Sequence, residues 1–345
     1  MNLLILSCGT RNLLVRYFKN TVSKQASGDN SVSGQVVCTK DTCEKSSIGQ
    51  VVVTDCSPLA PALYEADQFY IVPRMDSPDY LPTIFSICEQ NQIDAVLPLQ
   101  EDELTLVSNN KQAFQEKGVS AIVSEACALE ICRDKFKFYC HLKKNQIPAL
   151  ATYETFDSFC RDYQEQKVAF PVFVKPIRGC GSIGAMKVPC MAVLEVLCKN
   201  SDTPLLIQEY CEGREYGADC YVDLLSHQVT HIFIKEKIRM RAGETEKSVT
   251  INNSELTSLV ARTLKTLELS GPIDMDIFEK DGNFYISEIN PRFGGGFPHA
   301  YACGLDVPQY IANNVAGITN EVCLERKYKE LYVLKYSDVL VKEKD

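Results

Sequence analysis

Acidic and amide side chains cluster in one short segment of the C-terminal half. Residues 273–296 read IDMDIFEKDGNFYISEINPRFGGG, two alternating runs around a DGN turn, which is typical of a β-hairpin. On such a hairpin Asp276 can lie across from Glu288 and Asn290, which share a face because they are two residues apart. Three oxygen ligands placed in this way suit a hard divalent cation that bridges polyphosphate oxygens, and Arg292 follows them as a planar cation for phosphate.

Two further interpretations of this hairpin bear on the site. Strand alternation is taken to place Asp274 on the face opposite Asp276, so Asp274 is left out of the metal ligands. The hairpin can also be an ordinary half-exposed one whose acids point into water, because DGN hairpins are common. The choice between a metal site and a solvated hairpin depends on what the rest of the chain supplies.

A lysine followed by glycines is the second chemical signal. The apolar run 170–176 predicts a strand, Lys175 lies near its end, and residues 177–184 read IRGCGSIG. Glycines such as Gly181 let backbone amides approach a phosphate chain, and Ser182 adds a hydroxyl donor. The stretch lacks the GxxxxGK[ST] spacing and precedes a strand, which excludes a P-loop. It favours a glycine-rich hairpin that covers a nucleotide, with a ligand-free surface loop as the alternative.

The segment QEYCEGREY has the features of a nucleotide-binding linker. The apolar residues 205–209 predict a strand, and this strand runs out at Tyr210 and Cys211 into a short polar stretch. Backbone groups left unpaired by such a strand end can hydrogen-bond to the edge of adenine. A following acid, Glu215, can accept hydrogen bonds from ribose hydroxyls.

A cationic strand follows at residues 235–241, which read KEKIRMR. Arg239 and Arg241 share one face, from which they can hold a phosphate or an anionic substrate. Lys235 and Lys237 are expected to be exposed cations of a charged strand.

The first 125 residues show the pattern of an open α/β sheet. Helical segments alternate with apolar runs at residues 2–8, 50–54 and 95–98, which predicts parallel strands covered on both faces. The first strand-to-helix turn lacks GxGxxG, so no dinucleotide site is predicted. The acids at residues 101–103 follow a strand and Gln100, and they either face a cleft at the carboxyl edge of the sheet or begin a solvated helix. Residues 21–49 are polar and weakly periodic, which predicts a long surface loop or an insertion.

Composition limits the class of protein. A chain of 345 residues with 45% hydrophobic and 23% charged residues predicts a globular enzyme of roughly two or three domains. Its net charge of −9 argues against a nucleic-acid partner, and no apolar run approaches the roughly 20 residues of a membrane span. The N-terminal apolar run is too short for a signal peptide, and 16 scattered cysteines without CxxC pairs indicate reduced thiols. A cytoplasmic protein is therefore expected, and a homodimer is compatible with the sequence.

The order of these elements along the chain resembles that of the ATP-grasp superfamily, and within it the carbamoyl-phosphate-synthetase-like branch. The resemblance rests on Lys175 with its glycine-rich hairpin, the QEYCEGREY linker, the cationic strand and a D-x11-E-x-N-P-R hairpin. It implies an α/β fold in which a Rossmann-like pre-ATP-grasp domain at 1–125 precedes an ATP-grasp fold of two α+β subdomains. A lid subdomain with the glycine-rich loop is expected at 126–204, and a C-terminal subdomain with the metal site at 205–345.

The resemblance also implies the site residues around ATP and a divalent cation, Mg2+ or Mn2+. The residues implied to bind ATP are Lys135, Lys175, Gly181, Ser182, Glu209, Cys211 and Glu215. The implied metal ligands are Asp276, Glu288 and Asn290. The implied catalytic cations are Arg292, Lys175 and Arg241. Within this set the lysines would meet phosphates, the linker would hold adenine and ribose, and the arginines would stabilise the transferred phosphoryl group and grip a carboxylate.

The implied reaction is carboxylate activation. A substrate carboxylate attacks the γ-phosphate of ATP to give an acyl-phosphate and ADP, and an amine then attacks the acyl-phosphate to form an amide and release phosphate. The expected partners are a small-molecule carboxylate and a small-molecule amine. One alternative is a carbamate- or carboxylate-phosphorylating enzyme of the same branch. Another is a non-catalytic ATP-binding subunit, against which the complete set of ligands argues.

Overall fold

Three β-sheets follow one another along the chain. The computed structural model describes residues 1–23, 47–179, 181, 183–241 and 243–343. The strands of the first sheet are β1 (Asn2–Leu6), β2 (Gln50–Asp55), β3 (Gln68–Ile71), β4 (Ala95–Pro98) and β5 (Ser120–Ala121). They are parallel in the order β3-β2-β1-β4-β5, so the strand order reverses between β1 and β4. In open α/β sheets ligands bind at the carboxyl ends of the strands at such a reversal.

Helices cover this parallel sheet on both faces. They are α1 (Asn12–Ser23), a 3-10 helix (Pro61–Glu65), α2 (Tyr80–Gln90), α3 (Glu101–Asn109) and α4 (Lys111–Glu116). Leu3 and Ile5 of β1 pack in one apolar core, and Leu4 and Leu6 pack in another. The strands of this sheet are therefore apolar throughout rather than alternating between apolar and polar residues. Helix α1 takes in residues 21–23 of the predicted loop or insertion at 21–49, and residues 24–46 of that prediction lie outside the described part of the chain.

The second sheet is small and antiparallel. Two helices, α5 (Ala126–Arg133) and α6 (Lys135–Lys144), precede it. Its elements are β6 (Thr152–Tyr153), α7 (Phe156–Gln164), β7 (Val172–Pro176), β8 (Met186–Val188), α8 (Met191–Asn200) and β9 (Leu205–Glu209). The strand order is β6-β9-β7-β8, and Phe159 of α7 and Leu194 of α8 pack on one face of it. This sheet therefore positions Lys175, near the end of β7.

The third sheet is antiparallel and contains the predicted hairpin. Its elements are β10 (Arg214–Val222), β11 (Val229–Arg241), β12 (Glu244–Ile251), α9 (Ser254–Leu264), β13 (Gly271–Lys280), β14 (Asn283–Asn290), α10 (Phe297–Ala302), α11 (Val307–Val315) and β15 (Tyr332–Leu334). The strand order is β14-β13-β10-β11-β12-β15. None of the helices in the described residues combines the length and apolar character needed to cross a bilayer.

The two faces of the third sheet differ sharply. One face carries apolar side chains such as Ala218, Ile234 and Met275, which pack with α9 and with α5 and α6. Because side chains alternate along a strand, the residues between them share the other face. The register there places Asp276 of β13 beside Gly217 of β10. The third sheet thus buries one face and presents a charged face, which forms part of the site described below.

The predicted fold class is confirmed, since a parallel α/β domain precedes two α+β units. Strand β9 pairs with β6 and β7 in the second sheet. We therefore propose that the boundary between the second and third units follows Glu209, rather than falling at 204/205 as the sequence suggested.

One buried acid lies at the carboxyl edge of the parallel sheet. Glu103, in the first turn of α3, is fully buried and accepts hydrogen bonds from Ser7 Oγ at 2.8 Å and from the Tyr80 hydroxyl. Burial raises its pKa to about 7. Because the folded protein then binds this proton more tightly than the unfolded chain does, the stability due to Glu103 is complete below its unfolded pKa of 4.5 and is lost as the pH rises through the folded value.

Replacing Glu103 with glutamine should remove this pH dependence. Relative to Glu103→Gln, the free energy of unfolding of the wild-type protein is expected to fall by about 3 kcal/mol as the pH rises from about 4.5 to about 7, and to change little above that range. Urea unfolding of both proteins across this range provides the measurement. Parallel pH profiles for the two proteins would contradict the prediction.

Candidate active site

One cleft of about 710 Å3 collects residues from all three sheets and their loops. Every predicted site residue that the structure describes lines it, namely Lys135, Lys175, Gly181, Glu209, Cys211, Glu215, Arg241, Asp276, Glu288, Asn290 and Arg292. The predicted hydroxyl donor Ser182 lies outside the described residues. Side chains far apart in sequence therefore meet in one space, as a nucleotide site requires.

The hairpin of β13 and β14 forms the acidic wall of this cleft. Its DGN turn has two successive positive φ angles, 53° and 75°, which is the geometry that this turn sequence favours. The register places Asp276 opposite Glu288, as predicted, and Asp274 opposite Asn290. Four oxygen-bearing side chains thus form two neighbouring cross-strand pairs.

The assignment of Asp274 to the opposite face was wrong. Asp274 lines the cleft, and its carboxylate pairs with Arg292 Nη1 at 3.2 Å. The reason is the two-residue period of a strand, which places Asp274 and Asp276 on the same face. Asp274 therefore fixes the position of Arg292 beside the acidic wall.

The expectation that Lys235 and Lys237 are exposed was also wrong. Lys235 is 1% exposed and forms an ion pair with Asp219. Lys237 bridges Glu215 at 2.7 Å and Asp276 at 2.5 Å. Burial alone would lower the pKa of Lys237, but the two carboxylates raise it above its ordinary value. The same alternation that pairs the arginines of this strand puts both lysines on the charged face.

Lys175 faces the acidic wall from the four-stranded sheet. It is 8% exposed, and its side chain forms neither an ion pair nor a hydrogen bond with any described residue. Burial lowers its pKa, and the negative charge of Glu288 opposes that shift. A nearly buried cation without a partner is costly to the fold. The arrangement is that of a cation placed to receive an anionic ligand.

The oxygen donors fit a hard divalent cation. Within the described residues, the side chains of Glu288 and Asn290 make no hydrogen bond or ion pair, and Asn290 is 6% exposed. Burial raises the pKa of Asp276 against the effect of Lys237, so a cation among these acids would relieve their repulsion. No three acid, histidine or cysteine side chains of the described residues gather closely enough to hold a metal ion by themselves. The amide oxygen of Asn290 would complete the set, and carboxylate with amide oxygen suits Mg2+ rather than zinc.

The glycine-rich loop meets the β11–β12 turn across the cleft. Lys135 holds the loop, since its Nζ donates to the carbonyl oxygen of Gly179 at 2.6 Å. Gly243, with a φ of +76°, lies so close to Gly181 that an added Cβ would be 2.9 Å from the Gly181 carbonyl oxygen. Both the backbone angle and this close approach require glycine at position 243.

The predicted nucleotide-binding linker lies at the end of β9. The Glu209 amide already donates to the carbonyl of Ala151 at 2.8 Å, and its carboxylate pairs with Lys280. The backbone groups of Cys211 bond to no other described residue. The predicted backbone contact with adenine therefore depends mainly on Cys211. Glu215 lines the cleft with its carboxylate on Lys237.

The two arginines of β11 lie at the rim. The Arg241 side chain is 69% exposed and lies 3.3 Å from Glu246, and that of Arg239 is 63% exposed and lies 2.9 Å from the same carboxylate. Only Arg241 of the two lines the cleft. Exposed pairs of this kind are weak, so Arg241 is free to turn onto an anionic substrate.

Three glycines after Arg292 bring the backbone against charged side chains. An added Cβ would lie 2.3 Å from Asp274 Oδ1 at Gly294, 3.1 Å from Glu244 at Gly295 and 2.7 Å from Lys235 at Gly296. The FGGGF segment is therefore needed for close packing against the charged face.

Gly294→Ala is expected to displace Asp274 from Arg292 and to lower kcat for ADP release by roughly 10- to 100-fold, because a small misplacement of a charged group has a large effect on catalysis. Gly295→Ala is the matched control. The atoms nearest its methyl group would be those of the flexible Glu244 side chain, at 3.1 Å or more, so a smaller loss than that of Gly294→Ala is expected. Steady-state assays of both variants test the difference, and equal losses would contradict this role of Gly294.

Sequence analysis missed Arg11 and Glu244, which line the cleft from other elements. Arg11 follows β1 at the strand-order reversal, a position that predicts ligand contact. The first strand-to-helix turn lacks GxGxxG, so the sequence carries no motif that marks Arg11. The acids at 101–103 were expected either to face the cleft or to begin a solvated helix, and the structure places them differently from one another. Glu101 lines the cleft, Asp102 pairs with Arg133 at the surface, and Glu103 is buried.

Two known protein-family models together match most of the chain. The PylC-like N-terminal domain matches residues 30–122, and the ATP-grasp domain matches residues 132–296. The arginine-specific large chain of carbamoyl phosphate synthase from Geobacillus stearothermophilus is 23% identical over 285 residues, which is 79% of this chain and 26% of that protein. This chain thus spans about a quarter of the length of that relative.

Solved structures share the fold. N5-carboxyaminoimidazole synthetase from Staphylococcus aureus, complexed with ADP, has a TM-score of 0.70 at 17% identity, covering 97% of this chain and 82% of that one. The L-amino acid ligase from Bacillus licheniformis has a TM-score of 0.64 at 16% identity, covering 91% and 74%. The matched ATP-grasp domain includes the glycine-rich loop, the linker and the acidic hairpin. The chain therefore belongs to the ATP-grasp superfamily, as its motifs predict.

Proposed function

We propose that this protein is an Mg2+-dependent ligase that uses ATP to activate a carboxylate as an acyl-phosphate and joins it to an amine. One observation carries the proposal. Lys175, nearly buried and without a partner among the described residues, lies across the cleft from Glu288 and Asn290, whose side-chain oxygens are also unpaired within the described part of the chain. A cation on one wall and oxygen ligands on the other suit a polyphosphate chain with a divalent cation.

Different residues of the cleft would serve the first step, which transfers the γ-phosphoryl group of ATP to the substrate carboxylate. Lys175 and Lys135 would hold the phosphates, and Asp276, Glu288 and Asn290 would hold the metal ion, which neutralises phosphate oxygens when it is bound. The substrate carboxylate oxygen attacks the γ-phosphorus, and the bond to the ADP oxygen breaks. Arg292, fixed by Asp274, would stabilise the negative charge that spreads over the transferred group.

The second step needs an acceptor pocket rather than a protein nucleophile. The amine nitrogen attacks the acyl carbon, a proton leaves the nitrogen, and inorganic phosphate departs with the electrons of the C–O bond. Gly295, Gly296 and the rim residue Arg241 line the cleft and would border the space where this takes place. The contact between the glycine-rich loop and the β11–β12 turn would restrict water, which would otherwise hydrolyse the acyl-phosphate.

A second candidate is phosphorylation of bicarbonate or carbamate. The similarity to carbamoyl phosphate synthase large chains favours it. The similarity to an L-amino acid ligase structure favours amide formation between larger substrates. The two candidates share the nucleotide site and differ in the identity of the carboxylate.

The test is ADP release with ATP and Mg2+ across a panel of amino acids and small carboxylates, with hydroxylamine as the amine. Hydroxylamine captures acyl-phosphates as hydroxamates, so the first candidate predicts ADP and hydroxamate in equal amounts with at least one carboxylate. ADP release that needs only bicarbonate would favour the second candidate. ADP release that is independent of every carboxylate, bicarbonate included, would contradict the ligase proposal.

A further inference from the structure

Arg11 lies at the point where the parallel sheet meets the ATP-grasp cleft. It occupies the turn between β1 and α1, where its amide donates to the carbonyl of Cys8 at 2.9 Å. Strand β1 is adjacent to β4, and the strand order reverses between them. Its partly buried side chain lines the cleft together with Arg292 and Glu244. The N-terminal domain therefore contributes a cation to the cleft.

The charge of Arg11 is unmatched in its surroundings. Its guanidinium forms no ion pair or hydrogen bond with any described residue. The two carboxylates of this corner are already engaged, since Asp274 pairs with Arg292 and Glu244 pairs with Lys335. Three cations thus share two carboxylates. Burial, and after it the neighbouring Arg292, lower the pKa of Arg11, and the negative charges of Glu244 and Asp274 oppose this shift.

We infer that Arg11 binds an anionic group of the amine substrate, a carboxylate or a phosphate, and so selects an acidic acceptor. The inference rests on the proposed ligase function. Guanidinium groups bind both anions through paired N–H donors. The position suits the acceptor rather than ATP, because Arg11 extends from the parallel sheet, whereas Lys135 and Lys175, to which we assign the phosphates, come from α6 and β7. An anion bound by Arg11 lies on the Arg292 side of the cleft, next to the carbon that the amine attacks.

Anion binding can be measured without knowing the natural substrate. The protein is first saturated with Mg2+ and the non-hydrolysable ATP analogue AMP-PNP, so that the triphosphate occupies its own cations. Inorganic phosphate and, separately, malonate are then titrated calorimetrically into the wild type, Arg11→Gln, Arg11→Lys and Arg16→Gln. Arg16 is the matched control, since it lies five residues further along the chain in α1, is exposed and pairs with Glu65.

Arg11→Gln is expected to weaken binding of the preferred anion by roughly 10- to 100-fold, and Arg11→Lys by less, because lysine keeps the charge but loses the paired donors. Arg16→Gln should change it by less than about twofold. Tighter binding of phosphate by the wild type would indicate a phosphorylated amine, and tighter binding of malonate an amine that bears a carboxylate.

Equal anion affinities for Arg11→Gln and the wild type would overturn the inference, as would the absence of anion binding to the wild type. If Arg11→Gln does not fold, Arg11→Lys decides the matter, and an unchanged affinity in that variant counts against the inference. Failure of the proposed function has a different signature, which is that AMP-PNP does not bind or that the wild type forms no hydroxamate.

Discussion

Lys175→Met is expected to abolish ATP turnover while leaving the protein at least as thermally stable as the wild type. The lysine is nearly buried and forms no ion pair with any residue that the structure describes, so its desolvation is costly to the fold. Methionine fills a similar volume without a charge. The loss of charge removes the contact that we assign to the ATP phosphates, and ADP release should fall by roughly 1,000-fold or more.

Two assays on one preparation test this combination. Thermal unfolding without nucleotide should give a Tm equal to or above that of the wild type, and AMP-PNP should no longer raise it. Lys199→Met is the matched control, because Lys199 is an exposed lysine paired with Glu195 on α8. A large drop in Tm would show that Lys175 supports the fold, and retained ADP release would remove it from the phosphate site.

Glu288→Gln is expected to weaken the preference of the site for metal-bound over metal-free nucleotide. The Glu288 carboxylate faces Lys175 across the cleft and has no partner among the described residues. In the absence of a divalent cation this carboxylate repels the triphosphate, so the variant should bind metal-free ATP as tightly as the wild type or more tightly. In the presence of Mg2+ a ligand is lost, and ADP release should fall by roughly 100- to 1,000-fold.

Nucleotide titrations with EDTA and with Mg2+ provide the measurement, with Glu255→Gln as control, since Glu255 is exposed at the start of α9. Near-wild-type ADP release from purified Glu288→Gln would refute the metal assignment. An equal loss of affinity in EDTA and in Mg2+ would instead point to a role in shaping the cleft.

The sequence predicts most of the site because its chemistry lies in short, regular elements. A DGN turn with alternating strands specifies a hairpin, and the register of that hairpin follows from the turn, so Asp276 opposite Glu288 could be read from the residues alone. The glycine-rich loop next to Lys175 could be read in the same way. Strand alternation also places Asp274 on the same face as Asp276, and Lys237 on the same face as Lys235. The positions of both residues therefore follow from the sequence as well.

What the sequence does not specify are contacts between separate units. Arg11 and Glu244 are distant in the chain, and only the docking of the parallel domain on the third sheet brings them into one cleft. Similarly, nothing in the local sequence shows that Lys237 would bridge Glu215 and Asp276, because the bridge depends on the order of β11, β10 and β13 in the sheet. Strand order is a tertiary property, and a single sequence carries little signal for it.

The most direct test of the account is a crystal structure with AMP-PNP and Mn2+, in which anomalous scattering locates the metal. The account predicts Mn2+ bound by Glu288 and Asn290 and in contact with the phosphates, with Lys175 Nζ within about 3 Å of a phosphate oxygen. A nucleotide whose phosphates lie away from Lys175, or a metal bound elsewhere, would contradict it.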